Sequence, residues 1–175
     1  MEHPVFFCTH PSPVGELLLT WGGRALTGLY MDPHKWGPER GPDWREDAAP
    51  FAAAREQLDA YFAGELAEFD LPLAPEGTEF QRRVWDALRR IPYGKTVSYA
   101  ELARMIGKSE AVRAVGAANG RNPISIIIPC HRVIGADGTL TGYGGGLDRK
   151  RLLLDLEAGV VERGGGPVQA RLPWG

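Results

Sequence analysis

The sequence predicts an α/β (α+β) protein in two parts: a small N-terminal antiparallel β-meander with a helix, then a mainly helical domain holding a helix-turn-helix and a short active-site strand. Three observations predict it. Apolar and polar residues alternate through residues 5–9, 16–21 and 26–31, apolar residues recur at helical spacing over 51–64 and 80–91, and two Ser/Thr-x-x-Gln/Glu signatures open short helices after a proline-marked break. With 175 residues, 43% hydrophobic and 24% charged, the chain suits one domain, or one with a small partner, and not a disordered or fibrous protein.

Each element follows in order. Pro11, Pro13 and Gly22-Gly23 break the three predicted strands. Residues 32–47 combine breakers, charges and the rings of His34, Trp36 and Trp44, a long surface loop. Phe51, Ala54, Leu58, Tyr61 and Phe62 then mark a helix that covers the meander. Pro72 and Pro75 mark a linker, so the expected division is residues 1–71, a linker at 72–77, a C-terminal domain at 78–160 and a flexible tail at 161–175. Thr78-x-x-Gln81 opens a helix with Phe80, Val84, Leu88 and Ile91 on one face, and Ser98-x-x-Glu101 opens another that stops at Gly107. Ser109 is the expected cap of an alanine-rich helix over 110–119, ended by Asn122-Pro123. The apolar run 124–128 reads as a buried strand, Asp137-Gly138 as a tight turn, 142–146 as a loop, and 148–158 as a last helix capped by Asp148.

Charge is divided unevenly. Residues 1–79 hold 5 Lys+Arg against 14 Asp+Glu, a net of −9, whereas residues 80–157 hold 13 against 7, a net of +6. A basic half of this kind suits a polyanion. No apolar run nears the ~20 residues that cross a bilayer and residues 1–10 carry no secretory signature, so a cytoplasmic protein without membrane contact is expected.

The two cysteines call for separate explanations. Cys8, with His3, His10 and His34, lacks the spacing of a zinc motif and is read as a strand thiol; no metal is expected. Cys130 ends the apolar run and is followed at once by His131 and Arg132, an odd place for a merely buried thiol. A thiol reacts as thiolate and needs a base or positive surroundings near neutral pH. Neighbours in an extended segment project to opposite faces, so His131 reaches the sulfur through a bridging water, and Glu157 holds its other nitrogen.

The stretch Asn122-Pro123, 126–128, Pro129-Cys130-His131-Arg132-Val133, Gly142-Tyr143, Gly145-Gly146-Leu147, Lys150 and Glu157 resembles the O6-alkylguanine-DNA alkyltransferases, or methylated-DNA-protein-cysteine methyltransferases. The resemblance extends back through Ile91-Pro92-x-Gly94, Ser98-Tyr99, Leu102-Ala103 and Arg113-Ala114-Val115-Gly116 and covers residues 78–157. It implies a monomer without cofactor or obligate protein partner. Such a protein binds double-stranded DNA containing O6-alkylguanine in the minor groove through the helix-turn-helix and rotates the damaged base out of the stack.

By the same resemblance DNA contacts fall to Tyr99, Arg113, Ala114, Gly116, Ala117 and Arg121, with Arg113 filling the vacated stack and Tyr99 protonating the leaving guanine. Asn122 holds the turn before the active-site segment, and Cys130 takes the alkyl group irreversibly. Val133, Tyr143, Gly144 and Gly145 line the base pocket; some relatives carry serine where Gly144 stands, which implies a roomier pocket here. Lys150 matches the family but reads as structural. The alternatives are a non-catalytic lesion sensor, against which Cys130 argues, a cysteine hydrolase, for which adjacent Cys130-His131 has poor geometry, and a sequence-specific regulator.

Overall fold

The computed structural model describes residues 4–32, 34 and 37–163. Trp36, His3 and the expected tail from residue 164 lie outside them. Strands β1 (Phe6–His10), β2 (Leu17–Trp21) and β3 (Leu26–Met31) form the predicted antiparallel meander. The loop that follows adds a two-residue strand, β4 (Arg45–Glu46), parallel to β1, which gives the order β3-β2-β1-β4. Leu17, Leu19, Leu26 and Leu29 turn inward, and helix α1 (Ala52–Phe62) contributes Leu58 and Tyr61 to the same core after a 3-10 turn at Ala49–Phe51.

The second half is α2 (Glu79–Leu88), β5 (Val97–Ser98), α3 (Tyr99–Met105), α4 (Val112–Gly120), a 3-10 turn at Cys130–Arg132, β6 (Val133–Ile134) and α5 (Leu147–Glu162), with β5 and β6 parallel. Thr78 and Gln81 close a reciprocal capping box on α2. Ser98 caps α3 through the Glu101 amide, but the Glu101 carboxylate meets the Ser98 hydroxyl at 3.3 Å, so that box is only half made. Gly107, at φ 72°, supplies the left-handed turn between α3 and α4. Two expected caps are corrected. A turn from Lys108 to Ala111 intervenes after Ser109, so Ala111 precedes α4; Gly146, at φ 94°, precedes α5, and Asp148 sits inside its first turn, where its charge still suits the helix dipole.

The two halves share one hydrophobic cluster, from Leu17, Leu29 and Leu58 through Val84, Leu102 and Val115 to Ile124 and Leu153. Backbone bonds also cross between them. Residues 72–74 of the expected linker lie along β3, with Leu26 N donating to Pro72 O and Ala74 N to Leu26 O. Leu29 N donates to Pro123 O and Ser125 N to Leu29 O, so the segment before Cys130 is also bonded to the edge of β3.

That segment is not the strand its apolar run predicts. Only Ile124 bridges to the sheet; beyond it the chain coils through i→i+2 bonds, Ile127 N to Ser125 O at 2.8 Å and Cys130 N to Ile128 O at 2.8 Å. Ile126, at φ 72°, takes a conformation costly for a β-branched residue. Asn122 holds the coil at both ends: its side-chain amide donates to Ile128 O at 2.7 Å and its oxygen accepts from Ile124 N at 3.0 Å. Asn122→Ala leaves Ile124 N buried and unpaired and takes from Ile128 O one of its two donors, Cys130 N remaining, so urea unfolding of that variant is expected to show a loss of about 1–3 kcal/mol.

Candidate active site

Cys130 opens the 3-10 turn between the Asn122-held coil and β6; it does not end a strand. It is 5% exposed. Burial pushes its thiol pKa up, and the Asn122 side chain, the Lys150 ammonium and the Tyr143 hydroxyl oppose that rise. The Tyr143 hydroxyl is buried and makes no hydrogen bond of ordinary length and angle, yet it lies near enough to Cys130 and Ser125 to feel both.

His131 and Glu157 meet as expected, with His131 Nε2 2.7 Å from Glu157 Oε2 in full burial. Arg132 adds a two-pronged contact that sequence reasoning missed: Nε donates to Glu157 Oε1 at 2.8 Å and Nη2 to Oε2 at 3.0 Å, while Nη1 donates to Ile91 O at 2.7 Å. Gly94 N donates to Oε1 at 3.1 Å and the Tyr61 hydroxyl to Oε2 at 2.6 Å. Burial alone would raise the Glu157 carboxyl, but His131 and Arg132 hold it far below the usual carboxylate range. An ionised Glu157 accepts from His131, which puts the His131 proton on Nε2 and leaves Nδ1 a lone-pair acceptor. Nδ1 is buried without a hydrogen-bond partner among the described residues. Burial pulls the His131 pKa down, with Arg132 and Lys150 adding to the fall and Glu157 opposing it, so the ring is neutral.

Lys150 does more than the structural part its sequence suggests. It is fully buried, and its ammonium donates to Val133 O at 2.6 Å and Thr141 O at 2.8 Å. It thereby ties β6 to the loop that leads to Tyr143, Gly144 and Gly145. Burial lowers its pKa to about 8 and Cys130 pulls it back up, so it is cationic at neutral pH.

The expected nucleic-acid face lies on α3 and α4. Arg113, Ala114, Ala117 and Arg121 are exposed, while Val115, Ala118 and Asn119 are buried against α2, where Trp85 Nε1 donates to Ala118 O at 2.9 Å. Gly116 lies beside the Tyr99 ring. The Tyr99 hydroxyl exchanges hydrogen bonds of 3.2 Å with Thr141, so the first residue of α3 touches the pocket loop. Away from this region Cys8 is buried in β1, with its pKa pushed up to about 11 by burial. His10 is taken up by Asp59 and Arg55, and no three metal-ligating side chains cluster among the described residues.

Family models cover both halves. Residues 79–159 match the 6-O-methylguanine DNA methyltransferase DNA-binding domain, and residues 5–75 the ribonuclease-like domain of the same enzymes. The chain belongs to the 6-O-methylguanine DNA methyltransferase family. It is 56% identical over 153 residues to a methylated-DNA-protein-cysteine methyltransferase of Mycobacterium tuberculosis, covering 87% of this chain and 92% of the relative. A relative of the same name from Methanosarcina acetivorans is 52% identical, over 87% of this chain and 98% of its own. The crystal structure of the M. tuberculosis protein in complex with DNA superposes with a TM-score of 0.85 at 55% identity, covering 89% of this chain and 94% of that one.

In this methyltransferase-family chain the space beside Gly144 is not empty. A Cβ there would fall 2.5 Å from His34 Cε1 and 2.6 Å from Nε2, and one on Gly145 would fall 2.9 Å from Met31 Sδ. Residues of the N-terminal half therefore back the pocket loop, and the extra room expected from Gly144 is filled by an imidazole. Nothing in the sequence pairs His34 with Gly144. Gly144→Ser overpacks this contact, with an expected loss of about 1–3 kcal/mol in urea unfolding; adding His34→Ala is expected to restore most of it, a coupling that a double-mutant cycle reads directly. Lys150→Met removes the cation that favours the thiolate, so the Cys130 pKa moves up and iodoacetamide alkylation of Cys130 at pH 7.5 is expected to slow by about three- to tenfold.

Proposed function

We propose that the protein repairs O6-alkylguanine in double-stranded DNA by moving the alkyl group, once and irreversibly, to Cys130. The observation that carries this reading is the buried Cys130 thiol, near enough to the Lys150 cation to feel it and followed in the chain by a neutral His131 whose Nδ1 has no hydrogen-bond partner among the described residues. The exposed stripe of Arg113, Ala114 and Ala117 on α4 and Arg121 just after it, with Gly116 between, enters the minor groove. The damaged nucleotide leaves the stack at a cost of a few kcal/mol, which its weakened pairing reduces, and Arg113 takes its place.

The base then lies between the Cys130 turn and the loop carrying Tyr143, Gly144 and Gly145, with the backbone at Val133 reading its edge. The Cys130 proton passes through a water to His131 Nδ1, and Glu157 stabilises the imidazolium. The thiolate forms a bond to the alkyl carbon as the bond from that carbon to O6 breaks. The electron pair goes to guanine, which takes a proton from the Tyr99 hydroxyl. The product is a thioether that no neighbouring group hydrolyses, so each molecule acts once, as a monomer, in the cytoplasm, and needs no cofactor. A hydrolase reading is disfavoured because Cys130 and His131 make no direct hydrogen bond among the described residues, and a sensor reading leaves Cys130 without a role.

The test mixes the protein with a duplex carrying O6-methylguanine and follows intact mass beside a Cys130→Ala variant. The expected outcome is a gain of one methyl in place of a proton, stopping at one equivalent, and no gain in the variant. Lesion-selective binding without mass change overturns the reading in favour of a sensor; neither transfer nor selectivity restores the hydrolase and regulator.

A further inference from the structure

Tyr61 lies on α1 of the N-terminal half, whose apolar stripe explains its ring but not its hydroxyl. The ring packs edge-on against Phe62 and Tyr93 and tilted against Phe69, with centroid separations of 5.2, 6.2 and 5.5 Å. Its hydroxyl, in full burial, donates to Glu157 Oε2 at 2.6 Å, the same oxygen that receives His131 Nε2 at 2.7 Å. We propose that Tyr61 is a positioning residue for alkyl transfer, its hydroxyl drawing charge from Glu157 Oε2 so that the carboxylate orients His131 without pulling it into the imidazolium form. The inference rests on the proton relay proposed above, and it gives the N-terminal half a part in the chemistry.

The argument is one of competition. A carboxylate offers about four lone-pair sites, and Glu157 meets five donor contacts, from Tyr61, His131, both prongs of Arg132 and Gly94. Each donor that shares Oε2 lowers the charge density felt by His131. The phenol and the guanidinium thus work in one direction: they keep Glu157 ionised but weakly basic, and they keep His131 Nδ1 free to accept a proton. The ionisable groups facing this pair are Tyr61 from α1, Tyr93 from the turn after α2, Cys130 and Arg132 from the active-site turn, Tyr143 from the loop before α5, and Lys150 from α5. Among the tyrosines only Tyr61 bonds to Glu157; the Tyr93 hydroxyl is buried without a hydrogen-bond partner among the described residues.

Tyr61→Phe keeps the ring and removes the donor, whereas Tyr93→Phe removes a hydroxyl that makes no hydrogen bond and serves as the control. The His131 ring is followed by nitrogen NMR against pH in unreacted protein without DNA, so the result stands whether or not alkyl transfer occurs. In Tyr61→Phe the His131 titration is expected to move to higher pH, and the low-pH limb of the single-turnover rate to move with it, a loss of about three- to tenfold on that limb and little above it. Tyr93→Phe is expected to shift neither. If Tyr61→Phe does not fold, 3,5-difluorotyrosine at position 61, a stronger donor of nearly the same shape, tests the opposite direction: the His131 titration moves to lower pH. An unshifted His131 in a folded variant at position 61, or an equal shift in Tyr93→Phe, overturns the proposal.

Discussion

Glu157 is the charge on which the rest of the site depends. It is 1% exposed, and an isolated carboxylate there would be untenable; ionised, it draws donors from α1, from the turn after α2 and from the active-site turn onto α5. Removing one partner of such a buried pair typically costs about 3–5 kcal/mol because the other charge is left unpaired. The same contacts fix the tautomer of His131. A structural necessity and a chemical one are therefore met by a single side chain, and neither can be relaxed without the other.

Cys130 is governed by an opposite balance. The coil held by Asn122 buries the sulfur, and burial raises its pKa more than Asn122, Lys150 and Tyr143 lower it. The resting group is a thiol. For the single-use nucleophile proposed above this is protective, since oxidation and stray alkylation also proceed through the thiolate. On that proposal, activation comes from the relay that His131 completes. The strained Ile126 fits this arrangement: an extended strand through residues 124–128 would have continued along the edge of β3, whereas the coil leaves the sheet after Ile124 and presents the sulfur on a turn.

What the sequence revealed follows the range of the interactions involved. The Thr78–Gln81 box is local and was legible to the residue, as was the pairing of His131 with Glu157 through the demands of an imidazole near a thiol. The apolar run 124–128 was misread because an unbroken apolar stretch fits a strand and a buried coil equally, and only the asparagine bonds at its ends distinguish them. Lys150 left a signal that was undervalued: it shares the buried stripe of α5 with Leu153, Glu157 and Val160, and a lysine on such a stripe has to have found acceptors. Tyr61 and His34 left none. On an amphipathic helix a tyrosine looks like any core residue, and the contact of a loop histidine with Gly144 spans more than a hundred residues of chain.

These long-range contacts change what the N-terminal half is for. Leu29 bonds the coil before Cys130, Met31 and His34 back the pocket loop, and Tyr61 reaches the relay carboxylate, so three parts of the site are held from outside the half that carries the nucleophile. A passive scaffold would need only the first. The charge division fits the same logic: phosphate repels residues 1–79, of net −9, and attracts residues 80–157, of net +6, which suits the DNA approach proposed above with the acidic half turned away. The acidic half thereby braces the coil before Cys130, the pocket loop and Glu157.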